Sequence, residues 1–285
     1  MLNWLWITLI SGLLFGFYDI FTKKALHKVP LLNVLTLYTF FNFVFVSFEY
    51  TNAMKADLHD ILLVLVKSLC IFFGWILSFN ALLKLPISII SPFNMLIPIF
   101  TILLGVVVLN EKLIFIQIVG IAVMLISYYY IGRVGTIEVK GLYKNKYLYL
   151  MVLSTFLVSI SAILDKFILK NLNTGQMQFW FSLFVFLMYA VTTVCDRIKS
   201  KNPFSLNFNY LIILMSIFLV ISDRLYFSAV KIPESQISVI MPLRRVSIFI
   251  STIIGGIIFK EKNLLKKFMY ASLLILGIAL IFIGK

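Results

Sequence analysis

Long apolar runs dominate the chain and follow one another with little between them. A helix needs about 20 residues to cross the hydrocarbon core of a bilayer. Runs of that order fall at 4–26, 31–50, 60–83, 86–109, 113–131, 147–170, 175–195, 208–230, 233–259 and 263–284. They are continuous, without the two-residue alternation of a membrane-barrel strand. The pattern predicts an all-α integral membrane protein of about ten transmembrane helices. The first run continues past Phe17 with no basic lead-in and no small-residue cleavage site, so it reads as a retained span and not a secretory signal. Most connections are short. The longest, Gly132 to Lys146, falls at mid-chain, and a second polar loop, Asp196 to Asn207, joins the seventh and eighth runs.

Composition sharpens this picture. Of 285 residues, 62% are hydrophobic and 13% charged, whereas soluble domains carry about 25% charged residues. The excess apolar surface therefore faces lipid. The net charge of +14 would suggest nucleic acid in a soluble protein. Here most Lys and Arg lie between the apolar runs, where they meet lipid headgroups, so membrane lipids and not nucleic acid are the expected partner. Cys70 and Cys195 lie in apolar stretches without metal-type spacing, and His27 and His59 sit near helix ends. No metal or cofactor site is expected. No phosphate-binding glycine loop and no local nucleophile–base motif appears, which argues against an ATP-driven pump and against an enzyme.

The two halves repeat each other. Lys84-Leu-Pro86-Ile-Ser88-Ile-Ile90-Ser91 matches Lys231-Ile-Pro233-Glu-Ser235-Gln-Ile237-Ser238 at Lys, Pro, both Ser and the second Ile. Pro92, Gly105, Glu111 and Lys112 match Pro242, Gly255, Glu261 and Lys262 after a short insertion in the second copy. Earlier, Ser11, Lys23, Leu26, Phe41 and Phe43 match Ser154, Lys166, Leu169, Phe184 and Phe186 at one constant spacing. The expected units are 1–132 and 147–285, joined by 133–146. Five spans per unit is an odd number, so the second unit enters the membrane from the opposite side. Such inverted repeats are built for alternating access around a midplane site.

These residues resemble the drug/metabolite transporter superfamily, specifically its ten-helix EamA-type members. The likeness rests on two five-helix units, on a Lys near the end of the first helix of each (Lys23, Lys166), and on a Pro in the fourth (Pro92, Pro242). A later Gly and a closing Glu complete it: Gly105 with Glu111, and Gly255 with Glu261. The resemblance implies transport of a metabolite or drug, or of a lipid-linked sugar in some smaller relatives. It leaves the substrate open.

Charges deep in a span cost about 2.5–3.5 kcal/mol to insert and mark candidate function. Arg244 and Arg245 lie near the middle of the ninth run, just after Pro242, which can open the helix. The first unit has Asn94 and Met95 there, so the arginines belong to the second unit alone. A guanidinium fork suits carboxylate or phosphate. The alternative is an ion pair with Asp223, Glu234 or Asp165. Asp223 and Arg224, followed by Tyr226, lie in the eighth run, either facing substrate or bridging helices. Asn94 and Gln236 complete the candidate substrate-binding set. Asp19 with Lys23, and Asp165 with Lys166, are candidate gating or coupling residues, with pairing or snorkelling as the alternative. Asp19, Asp165, Asp223 and Glu49 are each able to carry a proton, and nothing in the sequence selects one.

Arg224, Arg244, Arg245 and Lys166 exceed Asp165 and Asp223 by two, which favours an anionic substrate. The expectation is a secondary transporter for a small anionic metabolite, in the cell membrane, with a small-molecule or lipid-linked substrate. A flippase for a polyprenyl-phosphate-linked sugar is the alternative. An intramembrane enzyme or non-transporting receptor is the alternative from another class. A homodimer stays open. So does the side of the termini: the resemblance implies cytoplasmic termini, whereas the distribution of basic loops favours termini outside.

Overall fold

A computed structural model describes residues 4–26, 28–82, 93–133, 146–200, 208–258 and 264–284. Every regular element among them is helical. The helices are α1 (Trp4–Leu26), α2 (Leu31–Val46, extended by the turn Ser47–Glu49 and the short helix Tyr50–Ala53), α3 (Leu58–Leu82), α4 (Leu96–Leu109) and α5 (Phe115–Arg133). The second half supplies α6 (Lys146–Ile168), α7 (Thr174–Ser200), α8 (Tyr210–Lys231), α9 (from Ile237) and α10 (Leu264–Ile283). Eight of these are long and apolar enough to span a bilayer, and α4 and α5 are shorter apolar helices. The ten expected runs thus map one to one onto ten helices. The fourth run was expected to begin at residue 86. Its part up to Pro92 lies outside the described residues; Phe93 is helical, and after the turn at Asn94 and Met95 the helix runs on from Leu96.

The ninth run differs from a single helix. Its segments are Ile237–Arg244, Ser247–Ile250, a wide π turn at Ser251–Gly255, and Gly256–Ile258. Past Pro242 the backbone tightens to three-residue hydrogen bonds: Arg245 to Pro242 at 3.0 Å, Val246 to Leu243 at 3.1 Å and Ile248 to Arg245 at 3.0 Å. Pro242 has no N–H to offer Ser238, and its ring crowds the preceding turn. The equivalent part of α4 is interrupted too. Asn94 and Met95 form a turn, and Ile97 bonds back to Asn94 at 3.3 Å.

The major helix contacts join the two halves. α1 packs on α8 and α9, α3 on α6 and α7, α2 on α7 and α8, α4 on α6 and α9, and α5 on α10. Exchange of the halves (α1 with α6, α2 with α7, and so on) turns this set of contacts into itself. Small residues permit the closest approaches. Ser11 and Ser222 exchange hydroxyl-to-carbonyl hydrogen bonds of 2.8 and 2.9 Å between α1 and α8. Ser154 donates its hydroxyl to the Gly74 carbonyl at 2.6 Å between α6 and α3. Gly12 faces the interrupted part of α9, where an added Cβ would stand 2.6 Å from the Arg244 carbonyl oxygen. Close backbone approach through a small residue is how membrane helices gain packing without a hydrophobic drive.

Gly12→Ala is expected to destabilise the detergent-solubilised protein by about 1–3 kcal/mol through overpacking. Gly74→Ala, whose Cβ would meet the movable Val158 side chain at 3.2 Å, should cost less. Thermal unfolding of the two variants side by side tests the α1–α9 crossing.

Candidate functional site

A cavity of about 170 Å³ opens between the halves. Its walls are built from equivalent positions. Tyr18 and Ser161, Tyr38 and Phe181, and Thr39 and Ser182 all line it, and each pair has the spacing that relates Ser11 to Ser154. The cavity therefore lies where the two units meet. α1, α2 and α3 contribute from the first half, and α6, α7, α8 and α9 from the second.

Two ion pairs stand in its wall. Lys67 of α3 meets Asp165 of α6 at 2.5 Å, with the two residues 3% and 2% exposed. The Lys67 ammonium also lies over the rings of Phe181 and Phe227, 4.1 and 4.6 Å from their centroids. Tyr226 donates its hydroxyl to Asp165 Oδ2 at 2.9 Å. The second pair is Arg244 with Asp223, at 2.5 Å. Arg244 also donates to Ser222 Oγ at 3.2 Å and is sandwiched between the rings of Phe15 and Tyr226. Tyr226 thus touches both pairs, one through its hydroxyl and one through its ring face. Such stacking suits a guanidinium, which is weakly hydrated and planar.

Arg245 lines the cavity as well. Its side chain makes no ion pair or hydrogen bond among the described residues. Asp19 of α1 is within its electrostatic reach and that of Arg244, without direct contact and outside the cavity lining. The Nε of Arg244, the Asn42 Oδ1 and the Gln178 Oε1 are buried without hydrogen-bond partners, and all three residues line the cavity. Buried polar atoms are nearly always satisfied, so these three atoms stand out as open hydrogen-bonding positions on the cavity.

Other residues singled out from the sequence lie elsewhere. Arg224 is outside the cavity lining: it pairs with Glu49 at the end of α2 and reaches Thr174. Lys166, next to Asp165 but turned away from it, donates to the carbonyls of Val230 (3.0 Å), Ile232 (2.9 Å) and Ser235 (2.7 Å). It closes the exposed carbonyl end of α8, where a cation is favoured. Gln236 donates to the Lys112 carbonyl at 2.8 Å, beside Glu111, whose carboxylate accepts from the amides of Ile237 and Ser238 at 2.6 and 2.9 Å. The closing Glu of one unit thereby caps the fourth helix of the other. Asn94 is half-buried in its turn and Lys23 is exposed at the last turn of α1. Neither lines the cavity.

Lys67, like Asn42 and Gln178, is a cavity residue that the sequence reading did not single out. Its signal was present: it lies inside the third apolar run, flanked by Val66 and Ser68. The charge balance changes accordingly. Arg224 and Lys166 leave the site and Lys67 joins it. Three cations (Lys67, Arg244, Arg245) then face two carboxylates (Asp165, Asp223) in the cavity wall. Among the lining residues the excess is one positive charge, not two; Asp19, outside the lining, lies within electrostatic reach of Arg245 and Arg244.

Lys166→Met should lower thermal stability by about 1–3 kcal/mol, because several carbonyls lose their donor. It should leave ligand affinity in the cavity unchanged. A binding titration on the purified variant separates the two effects.

Residues 2–133 match the model of the EamA-like transporter family. A solved crystal structure shares the fold, with a TM-score of 0.76 at 14% identity over 97% of this chain and 95% of that one. No curated protein sequence matches this chain significantly.

Proposed function

We propose that this chain, a multi-pass membrane protein whose residues 2–133 match the EamA-like transporter family, is a secondary transporter. Its cargo is a small anionic metabolite, carried across the cell membrane by alternating access. The observation that carries the anionic reading is Arg245, a cation in the cavity wall without a direct partner among the described residues. Beside it Arg244 keeps a free Nε. A half-buried cation without a direct partner is favoured by the arrival of a counter-anion. The free oxygens of Asn42 and Gln178 suit donors elsewhere on the same molecule, such as hydroxyls.

Alternating access is supported by the packing. The cavity is walled by equivalent positions of both halves, and the exchange of halves preserves the helix contacts. Two units of inverted topology, 1–132 and 147–285, sharing one midplane site have the architecture that allows rocking between two mirrored states. The helix break at Arg244–Val246 supports the location, because interrupted helices carry the binding groups in such folds.

A thermal-shift screen of the purified protein tests this reading. The ligand set is carboxylates, sugar phosphates, prenyl phosphates, amines and neutral sugars. An anion at a hundred times its dissociation constant should stabilise by about 2.7 kcal/mol, and Arg245→Gln should abolish the effect without unfolding the protein. Stabilisation by prenyl phosphates alone would redirect the reading to a lipid-linked substrate. Stabilisation only by amines or neutral sugars would overturn the anionic assignment.

A further inference from the structure

The Lys67–Asp165 pair is not needed to hold a surplus charge in check, because it is neutral as it stands. It is nevertheless placed in the cavity wall and nowhere else. It also ties the halves together, since Lys67 belongs to the first and Asp165 to the second. The Arg244–Asp223 pair, by contrast, lies wholly in the second half. We propose that Asp165 is the proton-binding site that couples transport to the proton gradient, by handing Lys67 over to the anionic substrate. This rests on the anionic reading above.

The argument is one of charge conservation in a dry site. Among the described residues, Lys67 has one carboxylate partner, Asp165, and its remaining neighbours are the faces of Phe181 and Phe227. Aromatic faces soften the desolvation of an ammonium but do not neutralise it. Lys67 can therefore release Asp165 only if another anion takes its place. Asp165 can lose Lys67 only if it is neutralised, since a lone buried carboxylate is strongly disfavoured. One proton bound to Asp165 Oδ1 and one anion bound to Lys67 satisfy both conditions at once. The proton comes from the solution on the loading side and leaves on the other, when Asp165 re-forms its pair with Lys67. Nothing else is consumed.

The surroundings of Asp165 make it the better proton carrier. α6 packs against α3, α4, α8 and α9. Lys67 faces Asp165 from α3, and Tyr226 and Asp223 face it from α8. Arg244 of α9 stands beyond the ring of Tyr226, and α4 carries no titratable side chain. The Tyr226 hydroxyl holds Oδ2, so Oδ1, the atom that meets Lys67, is the one that exchanges its cation for a proton. Protonation also cuts the ionic tie between the halves, which is what a rocking motion requires. Asp223 lacks this property, because its partner moves with it.

Succinate and glucose 6-phosphate serve as probes, one carboxylate and one phosphate. In wild-type protein, binding of either should take up about one proton, read with a pH indicator in weak buffer. The apparent dissociation constant should rise about tenfold per pH unit on the alkaline side. Asp165→Asn should bind with an affinity that is tight and independent of pH. Lys67→Gln should lose the pH dependence with the affinity. Binding without proton uptake and with a flat pH profile in wild type overturns the coupling role and leaves the anion site standing. No binding of either anion to wild type or Asp165→Asn overturns both. Should Asp165→Asn fail to fold, proton uptake by wild type decides alone.

Discussion

Inside the hydrocarbon layer there is no water to satisfy a polar group, and this constraint shapes most of the polar structure of the chain. Every deep charge that packing can satisfy has been satisfied by another segment of the protein. Lys67 meets Asp165, Arg244 meets Asp223, Arg224 meets Glu49, and Lys166 collects the carbonyls at the end of α8. Glu111 takes the free amides at the start of α9. Helix ends and intramembrane charges are thus paired across the molecule, and the pairings hold distant segments in register. Arg245 stands apart from this scheme: its side chain lines the cavity without a direct partner among the described residues.

The same constraint explains how the halves are assembled. Lipid tails are as apolar as leucine, so helices associate through close packing and hydrogen bonds. Gly12 lets α1 approach the broken segment of α9, and serines link α1 to α8 and α6 to α3. Helices of one half seek those of the other, so the halves interleave instead of forming two separate bundles. An interleaved pair encloses its interface, and the cavity is the part of that interface left unfilled. The repeat is faithful in the framework and broken in the chemistry. Framework positions such as Ser11 and Ser154 keep equivalent jobs, whereas Lys67, Asp165, Asp223, Arg244 and Arg245 have no charged counterpart in the other unit. The shell of helix contacts is thus symmetric while its charged lining is not.

What the sequence by itself determined is the class of molecule. Run length and hydropathy require ten membrane helices, because only a helix satisfies its own backbone in lipid. The duplicated motifs carry the resemblance to a transporter family, Pro242 marks the break in α9, and Arg244 and Arg245 line the cavity. Tertiary structure alone decided which charges meet. Depth along a span says that a charge needs a partner, but not which one, since the partner comes from a helix tens of residues away. Asp165 and Lys166 are adjacent in the chain and turn to different neighbours, one into the cavity and one onto the end of α8. Lys67 of α3 draws no attention in the sequence, and only the packing of α6 on α3 brings Asp165 to it. The site is made where helices from opposite halves cross, and the angle and register of those crossings are properties of packing, not of local sequence.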